Sequence, residues 1–318
     1  MVATVFAMAQ RILVTLDGAV LDPDVPLLHA DDLAAVRGDG VFETLLVRGG
    51  QARCVGLHLE RLARSAAALD LPAPDEHAWR SAIETGARTW AKENAAANGS
   101  APEGLMRLVY SRGREIAPVD QVVARDRAET GLTRESNEAT AYLTVGEVPD
   151  RVHAARTDGV SVITLDRGYS VDYAERAPWA LLGAKTLSYA TNMAAQRYAH
   201  QQGADDVIYV SSEGQVLESP RSTVIVVRGR SLVTPPADKV GILSSTTQQA
   251  LFAVAQREGW DTSMEQLRTA DLIQADAVWL LSSVTLAARV RELNGFALTE
   301  PHRPEDFVAL VDKAIAAN

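Results

Sequence analysis

Amine chemistry is the first function that this sequence suggests, because one of its few lysines has apolar neighbours. Of the 31 lysine and arginine residues only four are lysines, and Lys185 lies in the run Leu-Leu-Gly-Ala-Lys-Thr-Leu. Loss of water around an ammonium group lowers its pKa, and the neutral amine is the form that makes a Schiff base with a carbonyl compound. A structural lysine is the alternative, although a cation at the start of a helix predicted from residue 186 opposes the helix dipole.

A carboxylate in the second half of the chain could serve the same chemistry. Glu218 interrupts an apolar run that predicts a strand over residues 216–227. A buried carboxylate must be paired, hydrogen-bonded or protonated. A pyridinium nitrogen is one suitable partner, because the carboxylate keeps such a ring protonated and able to accept electrons. A solvent-facing strand residue or a structural ion pair is the alternative explanation.

Hydroxyl side chains crowd the start of a helix predicted over residues 246–258. Four of them follow one another in the run Ser244–Thr247, where the free N–H groups and the dipole of a helix start favour an anion. One residue is enough for capping, so four in succession indicate a phosphate. Arg61, on a helix predicted over residues 57–69, carries the rigid fork of donors that suits a phosphate. A surface charge is its alternative role.

These three features complement one another. A lysine that forms a Schiff base, a carboxylate for a ring nitrogen and a helix start with an arginine for a phosphate are the parts that pyridoxal phosphate requires. Each feature alone has a structural explanation, whereas the combination predicts a site for this cofactor.

Apolar periodicity predicts the elements that must bring these residues together. Strands are predicted over residues 11–16, 41–47, 105–111, 141–145, 160–165, 207–210, 216–227 and 277–281, with a short one near 232. Helices are predicted over residues 57–69, 78–98, 186–201, 246–258 and 306–317. Strands and helices are mixed without strict alternation, which favours a mixed α/β (α+β) class over a doubly wound sheet.

The pattern of the chain breaks twice. A break at residues 146–158 predicts an N-terminal domain over residues 1–150 and a C-terminal domain over residues 151–318. The polar stretch 112–140 is too long for an ordinary connection and predicts an insertion in the first domain. This insertion is either a lid or a solvated segment without a role.

Composition excludes several classes of protein. The 318 residues carry a formal net charge of −10 and form no lysine- or arginine-rich stretch, so a nucleic-acid partner is not expected. A single cysteine, Cys54, cannot form an internal disulfide, and no cysteine or histidine cluster has metal-ligand spacing. The first ten residues lack the basic start and long apolar stretch of a signal peptide. We therefore expect a cytoplasmic protein without a membrane segment.

Short motifs in a fixed order extend over most of the chain, from about residue 30 to residue 283. They are Arg-Gly-Asp-Gly-Val-Phe-Glu-Thr at 37–44, His-Leu-Glu-Arg-Leu at 58–62, Lys185, Leu-Glu-Ser at 217–219, Thr-Pro-Pro at 234–236 and the run 242–248. This set resembles the class IV aminotransferases, the fold type IV enzymes that use pyridoxal phosphate. The resemblance implies a small N-terminal α/β domain, a larger C-terminal pseudo-barrel domain, the cofactor between them and a homodimer.

The resemblance also implies roles for individual residues. Lys185 is the catalytic residue and forms the Schiff base with the cofactor, and Glu218 pairs with the pyridine nitrogen. Arg61, Thr246 and Thr247 hold the phosphate. Because Lys185, Glu218, Arg61 and Thr247 are all retained, an enzyme is favoured over a degenerate relative that acts as a cofactor-free scaffold or binding module.

Two activities within the family are compatible with the motifs. Gly-Asp-Gly-Val-Phe-Glu-Thr at 38–44 is similar to aminodeoxychorismate lyases and D-amino-acid aminotransferases, and the run 107–113 is similar to the lyases. The resemblance therefore favours a 4-amino-4-deoxychorismate lyase, which releases pyruvate and 4-aminobenzoate for folate synthesis. An aminotransferase acting on D-amino acids or branched-chain amino acids is the alternative. In either case the substrate is a small amine, and Arg107 and Arg112 are candidates to bind its carboxylates, with surface charges as the alternative.

Overall fold

Two β-sheets with flanking helices form the architecture of this chain. The computed structural model describes residues 10–96, 99–115 and 139–317, so most of the insertion predicted over residues 112–140 lies outside the described residues. Strands and helices are mixed in both halves, and the predicted mixed α/β class is confirmed. The first sheet is built from strands before residue 148 and the second from strands after residue 159. The division into domains at residue 150 stays a prediction.

The first sheet is antiparallel throughout its described strands. These strands are β1 (Ile12–Thr15), β2 (Val20–Leu21), β3 (Gly40–Arg48), β4 (Gln51–Ala52), β5 (Gly104–Ser111) and β6 (Thr140–Glu147). Their order across the sheet is β2-β1-β6-β5-β3-β4. The longest pairings join β3 to β5 and β5 to β6, each over eight residue pairs, so these three strands form the rigid centre of the sheet.

Two helices cover one face of the first sheet. After the short helix α1 (Leu33–Val36), helix α2 (Val55–Ala68) and helix α3 (Glu76–Glu93) pack on this face. Trp79 and Trp90 of α3 are fully buried there. In α2, residues three positions apart share a face, which brings His58 and Arg61 together on the buried side next to β3.

The opposite face of the first sheet is turned toward the second half of the chain. Successive side chains of a strand point to opposite faces, so Glu43 points to the helices while its neighbours Phe42 and Thr44 point the other way. Thr44 pairs with Arg107 of β5, and both line a cavity between the two halves. The alternation of β3 and β5 therefore gives the first sheet one structural face and one functional face.

The second sheet combines parallel and antiparallel pairings. Its described strands are β7 (Val160–Asp166), β8 (Asp206–Val210), β9 (Thr223–Arg228), β10 (Ser231–Thr234), β11 (Asp261–Met264), β12 (Ala277–Ser282), β13 (Leu286–Leu293) and β14 (Phe296–Ala297). The order is β11-β10-β9-β12-β13-β7-β8, and β14 pairs with β13. The central strands β9 and β12 are almost continuously apolar and buried, as expected for strands that are covered on both faces.

The remaining helices cover this sheet. They are α4 (Asp150–Asp158), α5 (Tyr173–Arg176), α6 (Ala190–Gln201), α7 (Ala237–Val240), α8 (Thr246–Arg257), α9 (Thr269–Ile273) and α10 (Pro304–Ala316). Trp279 of β12 stacks on Phe307 of α10 with ring centroids 4.6 Å apart. The same core includes Leu46 of β3, so apolar packing joins the two halves. Among the described helices, none has the length and apolar character needed to cross a membrane.

Three predicted elements differ from the structure. The helix predicted over residues 186–201 begins only at Ala190, because residues 185–187 instead form backbone hydrogen bonds with β3. The strand predicted over residues 216–227 is regular only from Thr223, because Pro220 lacks the N–H group that a central strand needs. The helix predicted over residues 78–98 ends at Glu93, where the Asn94 N–H group donates to the Trp90 carbonyl.

Candidate active site

A cavity of about 1340 Å³ lies between the two halves of the chain. Strands β3 and β5 form one wall, and the segments around residues 185 and 218, the start of α8 and the turn after β12 form the other. The sequence-predicted site residues that line it are Arg61, Arg107, Lys185, Glu218, Thr246 and Thr247. The fold thus brings together residues that lie up to 186 positions apart in the sequence.

Lys185 lies in an extended segment that is hydrogen-bonded to the first sheet. Its carbonyl accepts from the Phe42 N–H group at 3.0 Å, and its own N–H group donates to the Ser65 hydroxyl at 3.1 Å. Gly40 permits this close approach, because a Cβ atom there would lie 2.8 Å from the Leu187 side chain. The lysine therefore sits in a segment clamped to β3, and not at a helix start as the sequence predicted.

The environment of the Lys185 amine increases the fraction of its neutral form. Burial, followed by the positive charge of Arg61, lowers the pKa of Lys185 to about 8. The Nζ atom lies 4.3 Å from the centroid of the Phe42 ring, which holds the amine at the cavity wall. The structure thus supports the desolvated amine that the apolar neighbours predicted.

Arg61 belongs to a buried cluster of charged side chains. Its Nε and Nη2 atoms donate to the two Glu43 carboxylate oxygens, each at 2.7 Å, and His58 Nδ1 lies 2.7 Å from the same carboxylate. Its Nη1 atom donates to the Ser244 carbonyl at 2.9 Å. Burial opposes the charge on Glu43, but Arg61 and His58 outweigh it and hold the pKa of Glu43 well below its usual range. The carboxylate fixes the guanidinium next to the start of α8, with N–H groups left over for an anion.

The start of α8 is organised as an anion site. Ser245 caps the helix, its hydroxyl accepting from the Gln248 N–H group at 3.2 Å. Thr246 and Thr247 follow as the first two helical residues, and both are buried. N–H groups at these positions have no carbonyl partner within the helix. Together with the helix dipole they favour a bound anion.

Glu218 faces the cavity from an irregular segment between β8 and β9. One carboxylate oxygen accepts from Arg167 Nη1 at 2.9 Å, and the other accepts from the Leu243 N–H group at 3.1 Å. These two donors fix the carboxylate at the cavity wall. Glu218 thus forms the structural ion pair that the sequence analysis gave as an alternative, and its partner is Arg167. It leaves lone pairs of both oxygens available to a further donor.

Several residues of this site were not identified from the sequence. Tyr189 packs edge-on against Phe42, with ring centroids 5.5 Å apart, and its hydroxyl donates to the Pro220 carbonyl. Burial, followed by the charge of Glu218, raises the pKa of Tyr189. No local pattern marked it, because its partners Phe42 and Pro220 are distant in the sequence. Arg167 gave no local signal, because its role depends on Glu218, which is distant in the sequence.

The two arginines predicted to bind substrate have different positions. Arg107 lines the cavity, and its charge acts to lower the pKa of Lys185. Arg112 does not line the cavity. Its guanidinium pairs with Asp39 at 2.6 Å and donates to the Leu69 carbonyl at 2.6 Å. These contacts link the end of β5 to neighbouring loops, and the role of Arg112 as a substrate contact stays a prediction.

The donor groups of the cavity fit pyridoxal phosphate. Arg61 and the start of α8 suit its phosphate, the Lys185 amine suits its aldehyde, and Glu218 suits its ring nitrogen. In addition, the Ser219 hydroxyl at the cavity wall is buried without a hydrogen-bond partner among the described residues. A buried polar atom without a partner is costly, which is consistent with a polar ligand in this cavity. Within the same ranges, no group of histidine, cysteine, aspartate and glutamate residues could hold a metal ion.

Comparisons with known proteins agree with this chemistry. A family model described as Amino-transferase class IV matches residues 40–293. A protein of Mycobacterium tuberculosis (strain H37Rv), described as a bifunctional aminodeoxychorismate lyase / D-amino acid transaminase, is 49% identical over 311 residues, covering 96% of this chain and 99% of that protein. A D-alanine aminotransferase of Listeria monocytogenes is 27% identical over 266 residues, covering 84% of this chain and 82% of the relative.

Solved structures are similar over almost the whole chain. A hypothetical aminotransferase from Mycobacterium tuberculosis in a PLP-bound form has a TM-score of 0.86 and 50% identity, covering 96% of this chain and 99% of that one. A fold IV transaminase from Curtobacterium pusillum has a TM-score of 0.83 and 36% identity, covering 97% and 98%.

Proposed function

Because this chain belongs to the class IV aminotransferase family, we propose that it is a pyridoxal-phosphate enzyme with 4-amino-4-deoxychorismate lyase activity. The carrying observation is the Mycobacterium tuberculosis relative, which is 49% identical over nearly the full length of both proteins. The reaction would release pyruvate from aminodeoxychorismate and leave 4-aminobenzoate, a folate precursor. The bifunctional description of the same relative favours D-amino-acid transamination as a second activity.

Residues from both halves of the chain would hold the cofactor. Arg61, Thr246 and Thr247 would bind the phosphate, because they combine a fixed guanidinium with the free N–H groups of a helix start. Glu218 would accept a hydrogen bond from the ring nitrogen while Arg167 and the Leu243 N–H group hold it in place. The cofactor, when bound, supplies an electron sink for charge on the substrate carbon that bears nitrogen.

Lys185 would move the proton at that carbon. A general base must be neutral before it accepts a proton, and a pKa of about 8 leaves about a tenth of the amine neutral at pH 7. With an ordinary lysine pKa the neutral fraction would be below about one in a thousand. Burial beside Arg61 thus makes this lysine an effective base at neutral pH.

The same residues would serve both activities up to proton removal. In the lyase reaction, the enolpyruvyl group would leave with the electron pair of its C–O bond and take up a proton to become pyruvate, while the substrate ring would become aromatic. In transamination, the proton that Lys185 has taken up would instead be given back by the same amine. Arg107 supports either reaction as a carboxylate contact, because it faces the cavity close enough for its charge to affect the Lys185 amine.

We also propose a cytoplasmic homodimer. The single cysteine of the chain suits a reducing compartment. Exposed apolar side chains support a self-association surface: Trp179 is 76% exposed, and Met193 and Tyr198 on α6 are exposed at the cavity rim. Sedimentation of the purified protein would test the dimer.

The activity test compares substrates on one preparation. We expect 4-aminobenzoate release from aminodeoxychorismate to be faster than keto-acid formation from D-alanine or branched-chain amino acids. Faster turnover of the amino acids would reverse this order and make transamination the main activity. Borohydride treatment should attach the cofactor to the peptide that contains Lys185.

Matched lysine variants test the assignment of the base. Lys185→Ala should abolish both attachment and activity, whereas Lys239→Ala should retain both. Covalent attachment in Lys185→Ala would refute the assignment. Absence of bound cofactor in the unmodified protein would favour the scaffold hypothesis.

A further inference from the structure

The turn that joins β12 to β13 forms part of the cavity wall. It consists of residues 283–285, since Ser282 at the end of β12 pairs with Leu286 at the start of β13. All three turn residues line the cavity. The Ser283 hydroxyl lies 3.3 Å from the hydroxyl of Thr246, the first residue of α8. The turn therefore contacts the anion site at the start of this helix.

The backbone at the end of this turn has an unfavourable conformation. Leu286 has a φ of +61°, in the left-handed region that a side chain with a Cβ atom rarely adopts. Its side chain is buried in the core that joins the two halves of the chain. Such a conformation persists only where surrounding contacts hold it. We therefore looked for the contacts that hold residues 283–285.

Arg156, in the last turn of α4, provides these contacts. Its Nε atom donates to the Thr285 carbonyl at 3.2 Å, and its Nη2 atom donates to the Val284 carbonyl. Its Nη1 atom donates to the Glu103 carboxylate at 2.7 Å. Arg156 itself is not among the residues of the cavity wall. One guanidinium thus holds two consecutive carbonyls of the turn from outside the cavity.

Glu103 connects this guanidinium to the first sheet. Glu103 directly precedes β5, and its other carboxylate oxygen accepts from Nε of Arg48, at the end of β3, at 2.6 Å. Arg48 also pairs with Asp312 of α10 at 2.9 Å. Burial opposes the charge on Glu103, but hydrogen bonds from Arg156 and Arg48 outweigh it and lower the pKa of Glu103. The network therefore fixes the turn relative to both halves of the chain.

The hydroxyl of Thr246 has contacts from both halves. Nε2 of His58, on α2, lies 3.4 Å from this hydroxyl, and the Ser283 hydroxyl of the turn lies 3.3 Å from it. Thr246 is buried, so these contacts decide how its side chain is oriented. A displaced turn would remove the contact with Ser283 and give the Thr246 hydroxyl more freedom.

We propose that Arg156 is a positioning residue for the cofactor phosphate: it holds the turn at residues 283–285, and the turn holds the Thr246 hydroxyl at the start of α8. A donor that is already ordered binds an anion more tightly, because less side-chain freedom is lost on binding. This inference rests on the proposed phosphate site and adds to it a residue outside the cavity.

Paired ligands isolate the contribution of the phosphate. Pyridoxal phosphate and pyridoxal share the ring and the aldehyde, and only the first carries a phosphate. The absorbance of the bound ligand gives the Kd of each for the full chain after removal of the cofactor. We expect Arg156→Gln to raise the Kd of pyridoxal phosphate about tenfold or more, the scale of one hydrogen bond to a charged group. The Kd of pyridoxal should stay within about twofold, and an equal change in both would overturn the proposal.

A mutant cycle tests the route through the turn. Ser283→Ala removes the hydroxyl that contacts Thr246 and should weaken the binding of pyridoxal phosphate in the same selective way. If Arg156 acts through Ser283, the loss in the double variant should be smaller than the product of the two single losses. Independent losses that multiply would overturn this route.

A milder substitution keeps the test valid if Arg156→Gln does not fold. Arg156→Lys retains the positive charge next to Glu103, but its single nitrogen does not reproduce the planar fork that donates to two carbonyls and a carboxylate. We expect the same selective loss of pyridoxal phosphate binding. Unchanged binding in this variant would mean that only the charge matters and would refute the role of the turn.

Two further variants separate this inference from the proposed function. Thr246→Val removes the hydroxyl itself, and an unchanged Kd ratio there would refute the proposed phosphate site. A selective loss in Thr246→Val but not in Arg156→Gln would overturn this inference alone. Arg228→Gln breaks an ion pair with Asp271 outside the cavity and should change neither Kd. A selective loss in Arg156→Gln would support the inference even if neither lyase nor transaminase activity were found.

Discussion

The buried pair of Glu43 and Arg61 predicts that Glu43→Gln destabilises the fold. The Glu43 side chain is fully buried, and its carboxylate has three partners at 2.7 Å, two from Arg61 and one from His58. Glutamine keeps the shape but has one oxygen and no charge, so Arg61 remains buried without its counter-ion. Loss of one member of a buried pair costs about 3–5 kcal/mol. Because glutamine retains one acceptor, we expect about 3 kcal/mol.

The same pair predicts a dependence on pH. The pKa of Glu43 lies well below its usual value of 4.5 in the native protein, because Arg61 and His58 outweigh the effect of burial. As the pH falls through about 4.5, the unfolded chain takes up a proton that the native protein does not, so native stability decreases. The glutamine of Glu43→Gln does not titrate, so this loss of stability at low pH is absent from the variant. The stability difference between the two proteins should therefore shrink as the pH is lowered.

Urea unfolding of the cofactor-free protein at pH 7 and pH 4 measures both effects. Arg61→Gln and the double variant complete a mutant cycle, in which the double variant should lose less stability than the sum of the two single variants. Glu84→Gln, which removes an exposed carboxylate paired with Arg88 on α3, is the matched control and should shift the unfolding midpoint little. Additive losses, or a neutral Glu43→Gln, would refute the reasoning.

Three further predictions concern the site. The pKa of Lys185 is lowered to about 8 from 10.5, so the native chain binds fewer protons than the unfolded chain between these values and its stability rises with pH there. Lys185→Met should consequently stabilise the cofactor-free protein by about 2–3 kcal/mol at pH 7 but hardly at pH 10.5, and urea unfolding with no such difference would contradict the lowered pKa. Ser245→Ala should cost about 1 kcal/mol through loss of the α8 cap, and Ser245→Asp should restore it in thermal unfolding. Arg107→Gln should raise the substrate KM about tenfold or more, whereas Arg112→Gln should leave KM within about twofold; steady-state kinetics showing the reverse would return Arg112 to the site.

The chemistry of the site could be predicted from the sequence because it depends on interactions between residues that are close in the chain. Lys185 follows Gly183 and Ala184 and precedes Leu187, which already indicates a desolvated amine. The hydroxyl run before α8 predicts both a cap and an anion site, since capping is a local interaction. The structure supports the desolvated amine and the helix cap, although the secondary structure around Lys185 differs from the prediction.

Local sequence pattern could not predict the positions of some side chains. Local pattern placed Lys185 at the start of a helix, but hydrogen bonds to β3, more than 140 residues earlier, hold it in an extended segment. Arg107 and Arg112 lie on and just after the same strand with equal local signals, and only the neighbouring chain separates them. The Arg112 guanidinium donates hydrogen bonds to Asp39 and to the Leu69 carbonyl. The Arg107 guanidinium has no hydrogen-bond partner in the described ranges.

The sequence by itself determined the mixed α/β class, and it predicted the amine at Lys185, the carboxylate at Glu218 and an anion site at the start of α8. Each of these depends on residue type, strand or helix periodicity and capping, all of which act over a few residues. Only the tertiary structure decided which charges are paired. Glu43 fixes Arg61 and Arg167 fixes Glu218, while the Arg107 guanidinium lines the cavity without an ion pair to any residue of the described ranges. Charge pairing depends on distances of a few ångström between residues far apart in the chain, and those distances exist only after the two sheets have packed together.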